Sequence, residues 1–134
     1  MVKATKECIK ESATQTVRLC LLPNGIVHYT YLPNSEVDEA AHQANHDALV
    51  DMVGKDTKVP VLIDASEFVT LTPEARKLAR NLETIVPISK RAFVIKSLGQ
   101  RMLASFYITF HQHIVPTKIF TSYREAELWL LDSF

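Results

Sequence analysis

Hydrophobic and polar positions alternate along the first part of the chain. Between Gln15 and Leu22, the residues Val17, Leu19 and Leu21 fall on one parity. This two-residue period marks a strand with one buried face. Pro23-Asn24-Gly25 interrupts it, and Ile26 to Leu32 resumes it. Asn-Gly is a strong short hairpin signal because both residues tolerate positive φ. In the second strand Ile26, His28, Thr30 and Leu32 lie on one face, and Val27, Tyr29 and Tyr31 on the other. The period then lengthens. Val37, Ala40, Ala41, Ala44, Ala48 and Met52 recur at helical spacing, which predicts a helix with a small-residue face. Ser35 is placed to cap it, with Asp38 reaching back from three residues on, and Gly54 to end it.

The rest of the chain alternates short apolar runs with helical patterns. Val59-Pro60-Val61-Leu62-Ile63-Asp64 reads as a strand buried on both faces, with Pro60 at its start, where no ladder donor is needed. Thr72-Pro73 opens a helix that buries Ala75, Leu78, Ala79, Leu82, Ile85 and Val86, turns Glu83 to water and stops at Pro87. Arg91 to Lys96 is a further strand, 98–112 a helix, Thr117 to Thr121 a strand, and Ser122 with Glu125 starts a last helix that buries Ala126, Trp129 and Leu130. Strands alternating with helices imply parallel pairing through right-handed crossovers. The expected fold is α/β: a mixed sheet of about five strands, an N-terminal antiparallel hairpin followed by parallel βαβ units, with about four helices. Residues 1–134 are read as one domain, and residues 1–14 as either an extra strand or a loose N-terminal arm.

Composition narrows the function classes. Of 134 residues, 47% are hydrophobic, enough to fill a core. Lys plus Arg number 15 and Asp plus Glu number 15, so the chain lacks the basic excess of a nucleic-acid or anionic-membrane binder. The longest mainly apolar stretch, Met102 to Phe110, falls far below the roughly 20 residues of a spanning helix. The N-terminus has no signal-peptide core. Cys8 and Cys20 have no metal-site spacing and are expected to be reduced thiols in a cytoplasmic protein. The chain has no Gly-x-Ser-x-Gly elbow, no phosphate-binding Gly-rich loop and no dinucleotide fingerprint, so no catalytic residue and no cofactor is assigned.

The order of elements resembles the STAS family, the fold of bacterial anti-sigma-factor antagonists, and more closely its SpoIIAA-like, SEC14-like relatives. Three segments carry the resemblance: Val61-Leu62-Ile63-Asp64-Ala65-Ser66, an apolar strand ending in Asp-x-Ser; the loop Glu67 to Leu71 leading into Thr72-Pro73-Glu74-Ala75-Arg76; and the final strand and helix from Ile119 to Leu130. It covers Gln15 to the end. The resemblance implies a regulatory binding module. In the antagonists a serine at the start of the helix after the Asp-x-Ser strand is phosphorylated by a partner kinase. The family's Asp-Ser-Ser-Gly stretch lines up here with Thr72-Pro73-Glu74-Ala75, so no serine remains and Glu74 stands where the phosphate would sit.

In an open α/β sheet, ligands bind beyond the C-terminal ends of the parallel strands. That rule gathers Asp64, Ser66, Lys96, Ser97, Thr121 and Ser122 at one edge, with Thr70, Thr72 and Glu74 on the adjoining loop and helix start. Thr70 and Thr72 are candidate replacements for the serine, and Glu74 a fixed charge. Helix capping accounts for Thr72 and Ser122 equally well. Asp64 and Lys96 would be an acid and a base if the chain were a small enzyme, or an ordinary ion pair. In 98–112, Leu98, Met102, Leu103, Phe106, Tyr107, Ile108 and Phe110 cover more of the helix than one sheet face needs. This band is a buried helix, a homodimer interface or the wall of an apolar-ligand pocket. His42 and His46 stand four apart on a helix, and His111 and His113 at a helix end, without a third ligand in register, so no metal is assigned. The leading expectation is a non-enzymatic regulatory module that binds a protein partner and forms a homodimer. A small apolar-ligand or lipid-binding domain is the alternative, and an enzyme using Asp64 and Lys96 is the third. Contact with nucleic acid and membrane insertion are not expected.

Overall fold

A computed structural model of the chain describes residues 7–67, 69–96 and 114–132. The helix expected over 98–112, including Met102, Phe106, Tyr107 and Phe110, lies outside the described residues, as do Ser97, His111 and His113. Strands β1 (Lys10–Ala13), β2 (Val17–Leu21) and β3 (Val27–Tyr31) precede a short β4 (Ser35–Val37) and helix α1 (Glu39–Val53). Then come β5 (Val59–Asp64), β6 (Val69–Leu71), α2 (Pro73–Leu82), β7 (Ile88–Val94), β8 (Thr117–Phe120) and α3 (Tyr123–Leu131).

Among the described residues the main sheet has six strands in the order β1-β2-β3-β5-β7-β8, and β4 pairs with β6 in a separate ribbon. The hairpin is antiparallel, whereas β3–β5, β5–β7 and β7–β8 are parallel. This is the mixed α/β sheet that the sequence pattern predicts, with β1 added at the edge. The hairpin turn works as its residues suggest. Gly25 takes φ +92, its N–H donates to Leu22 O at 3.0 Å, and Asn24 Oδ1 accepts from Ile26 N at 3.0 Å. Pro60 sits where the β5–β7 register shifts, so its missing N–H leaves no gap in a regular ladder.

The strand period assigns the two faces. Val17, Leu19, Val27, Tyr29, Tyr31, Val61 and Ile63 pack with Leu49 and Met52 of α1 and Ala75 of α2. Leu22, Ile26, Leu62, Ala92 and Val94 pack with Ala126 and Leu130 of α3. Leu62 and Val61 are both fully buried, the condition their continuous apolar run anticipates. Each such side chain contributes roughly 1.5–3 kcal/mol of transfer free energy.

Several local readings are corrected. Ser35 does not cap α1; it starts β4, and Asp38 is the cap, its Oδ1 accepting from Ala41 N at 2.8 Å. The inward side of α1 is Asn45, Leu49 and Met52, while Ala40 and Ala44 are exposed. Glu83 is buried rather than in water, and Ile85 is exposed. The strand expected from Arg91 starts at Ile88, because Val59 and Pro60 extend its pairing. Lys90 and Arg91 are therefore buried cations, each with partners. Lys90 Nζ donates to Trp129 O at 2.7 Å and Asp132 O at 2.6 Å, caps the C-terminus of α3 and lies over the Trp129 ring. Arg91 pairs with Glu83 at 2.7 Å.

The cysteines are corrected too: Cys8 and Cys20 form a disulfide. Cys20 lies on β2 opposite Glu11; ahead of β1 the chain leaves this register, with Ile9 N donating to Leu21 O at 2.7 Å, and the two cysteine Cα atoms lie 5.3 Å apart. Among the described residues no helix is long and apolar enough to cross a membrane.

Candidate functional site

The parallel strands β3, β5, β7 and β8 end at Tyr31, Asp64, Val94 and Phe120, and the chain leaves all four on the same side of the sheet. Ala65 N donates to Val94 O at 2.9 Å and Ile95 N to Phe120 O at 3.0 Å, carrying the ladder just past the strand ends. After β3, Asn34 adopts φ +61, a conformation that its short polar side chain tolerates, and turns the chain into β4. After β5, Asp64 turns the chain toward β6: its Oδ1 accepts from Ser66 N at 2.9 Å.

The β4–β6 ribbon forms at this edge and feeds both α1 and α2. Thr72 N donates to Val37 O at 3.0 Å, so the two helix starts are tied together. Both starts are capped from within. Asp38 caps α1, and Thr72 Oγ1 accepts from Ala75 N at 3.1 Å to cap α2. Arg76 returns a guanidinium hydrogen bond to Leu71 O at 2.8 Å. Ser122, at the start of α3, accepts from Glu125 N at 3.3 Å.

The edge therefore collects most of the residues that the strand-end rule selects, in distinct settings. Asp64 is buried, 3% exposed. Ser66 and Thr72 are half-buried, and Thr70 and Glu74 are exposed. Lys96 Nζ lies 3.6 Å from Glu67, with the side chains 70% and 49% exposed, a solvent-screened pair of small energetic weight. The exposed acids Glu36, Asp38, Glu39, Glu67 and Glu74 stand on the described elements that meet here, with Lys96 beside Glu67. The ribbon escaped the sequence pattern: Ser35-Glu36-Val37 and Val69-Thr70-Leu71 are three residues each, too short to establish a period.

A second polar group lies between α1 and the sheet. Asn45 is fully buried, and its Oδ1 accepts from Thr14 Oγ1 at 2.6 Å and Thr16 Oγ1 at 3.0 Å. Among the described residues, Asn45 Nδ2 and His42 Nδ1 are buried with no hydrogen-bond partner. Burial, with help from His46 and Arg91, lowers the His42 pKa to about 4, and burial lowers that of His46. Burial and the neighbouring Tyr31 push Tyr29 well above its ordinary range, against the smaller opposing effect of Asn45 and Arg91. On the opposite face His28 Nε2 meets Glu127 Oε2 at 2.9 Å and stacks on Tyr123. Among the described residues no group of three or more His, Cys, Asp or Glu is placed to hold a metal ion.

Known proteins bear on the fold more than on this edge. No curated protein matches the chain. Among solved structures, an uncharacterized protein of the DUF3478 family with a SpoIIAA-like fold, from Shewanella loihica PV-4, aligns over 90% of this chain and 90% of its own. The TM-score is 0.58 and the identity 16%, a likeness of fold alone. A protein of unknown function from Arthrobacter sp. FB24 covers 86% of this chain and 99% of its own at 26% identity, with a TM-score of 0.32. The chain thus has the SpoIIAA-like form of the STAS fold that its ordered motifs imply. A family profile described as Domain of unknown function (DUF7793) matches residues 20–133, and the chain belongs to that family.

Proposed function

We propose that this SpoIIAA-like domain is a non-enzymatic regulatory module that binds a protein partner at the C-terminal edge of its parallel strands. The observation that carries the reading is the β4–β6 ribbon, which joins the starts of α1 and α2 through Thr72 N and Val37 O and leaves Thr70 and Glu74 exposed beside them. A short ribbon fixed to two capped helix starts is a rigid shape on which to display side chains. The acidic groups around it suit a partner with basic groups. Thr72 spends its hydroxyl on the cap, and Glu74 offers a standing negative charge in the first turn of α2. The module therefore works as a constitutive binder, without the phosphoserine switch of the antagonists.

Affinity capture with the wild-type chain and a Thr70→Lys/Glu74→Lys variant tests the reading. A protein retained by the wild type and lost by a variant of unchanged circular dichroism is the expected result. Equal capture by both would remove the edge from the account. The same proposal includes self-association through 98–112, supported by the apolar sequence band there. Size-exclusion of Phe106→Asp against wild type tests that part, with a later-eluting, folded variant expected.

A further inference from the structure

We propose that the Cys8–Cys20 disulfide is a redox latch that holds strand β1 on the sheet. β1 is an edge strand and buries almost nothing: Lys10, Glu11 and Ala13 are exposed and Ser12 is half-buried. Its flank toward α1 is only loosely covered. An open groove of about 380 Å³ runs along it, lined by Lys10, Glu11, Ser12, Ala48, Asp51 and Met52. Among the described residues, beyond the ladder with β2, the hydrogen bonds tying β1 to α1 are Lys10 Nζ to Met52 O at 3.2 Å and, from the residue after the strand, Thr14 Oγ1 to Asn45 Oδ1 at 2.6 Å.

The apolar burial that keeps β2, β3 and β5 in place is missing from β1, so its docking depends on the ladder and on the covalent ring closed by residues 12 apart in sequence. A four-residue ladder without a packed face is marginal by itself. Thr14 anchors the far end of the segment on Asn45, and the disulfide holds the open end, removing chain entropy from the undocked state.

Cys8 and Cys20 are both half-buried, within reach of a small dithiol. A thiolate of that reductant attacks one sulfur, the S–S bond breaks, and a mixed disulfide forms. Its second thiol then displaces the protein sulfur and leaves as the oxidised cyclic disulfide. Two electrons and two protons end on Cys8 and Cys20 as thiols. The reduced protein releases β1. The outer edge of β2 and the flank of α1 at Ala48 become open to solvent, while the two cores stay closed.

Hydrogen–deuterium exchange of the full chain, oxidised and after dithiothreitol, reads this directly. We expect amide exchange over residues 9–14 to rise about 100-fold on reduction, the effect of opening a ring of this size, with β3 and β5 unchanged. Cys8→Ser should show the fast exchange with or without reductant. Three results would overturn the latch: no thiols released from the folded protein, unchanged protection over 9–14 in the reduced protein, or equal loss of protection in all strands.

Discussion

Arg91 Nη2 donates to Glu83 Oε1 at 2.7 Å, with both side chains 9% exposed, and the other oxygen of the same carboxylate accepts from Val115 N at 3.1 Å. One buried acid thus anchors the end of α2, the strand β7 and the chain entering β8. Removing Arg91 takes a close cation from a buried acid. Arg91→Met should lower the unfolding free energy by about 3–5 kcal/mol, measured by urea denaturation. The double variant Arg91→Met/Glu83→Met should recover part of that loss but not all, because Val115 N then lacks an acceptor, a cost of about 1–3 kcal/mol.

The histidines of α1 give the fold a pH dependence. His42 falls from its ordinary 6.5 to about 4 in the folded chain. Between those values the unfolded chain binds the proton and the folded chain does not, so stability is full above pH 6.5 and declines as pH falls toward 4. His46, shifted in the same direction, adds to the slope. The His42 contribution is at most about 3 kcal/mol. From pH 7 through 5.5 to 4 the urea midpoint of wild type should fall more steeply than that of His42→Gln. Parallel curves would contradict this assignment.

The side-chain caps at the candidate edge stabilise the starts of α1 and α2. Thr72→Ala removes the acceptor for Ala75 N and should cost about 1 kcal/mol, and Asp38→Ala should do the same for α1. Thr72→Ser, which keeps the hydroxyl, should behave like wild type. Thermal melts of the three variants check the order.

Lys90 holds α3 by its last carbonyls. Lys90→Met keeps the aliphatic stem and removes the ammonium. Exchange protection should fall over Trp129 to Asp132 while the strands keep theirs, measurable by amide exchange in NMR spectra.

Much of the architecture was legible where residues had to satisfy two constraints at once. Val61-Leu62-Ile63 announced a central strand because both faces need apolar groups, and Thr72-Pro73 and Ser122 announced helix starts because they suit the cap geometry. Features set by distant partners were not legible. Glu83 reads as a surface charge, and nothing near Lys90 or Arg91 marks them as buried, until α3, α2 and the chain before β8 are in place. Asn45 breaks the apolar face of α1 because Thr14 and Thr16, from the β1–β2 turn, meet it there. The disulfide depends on β1 being a strand, which a run of four polar and small residues does not reveal. At the candidate edge, Asp64, Ser66, Thr70, Thr72, Glu74 and Lys96 could be grouped from topology alone, but the ribbon that displays Thr70 could not.

The most direct test of the proposed binding edge is site-specific photocrosslinking in cells. A photoreactive residue is placed at Thr70 or Glu74, and for comparison at Asp56, an exposed position before β5 at the opposite end of the sheet. The account predicts one common adduct from Thr70 and Glu74 and none from Asp56. An adduct formed from Asp56 alone, or no adduct at any of the three, would contradict it.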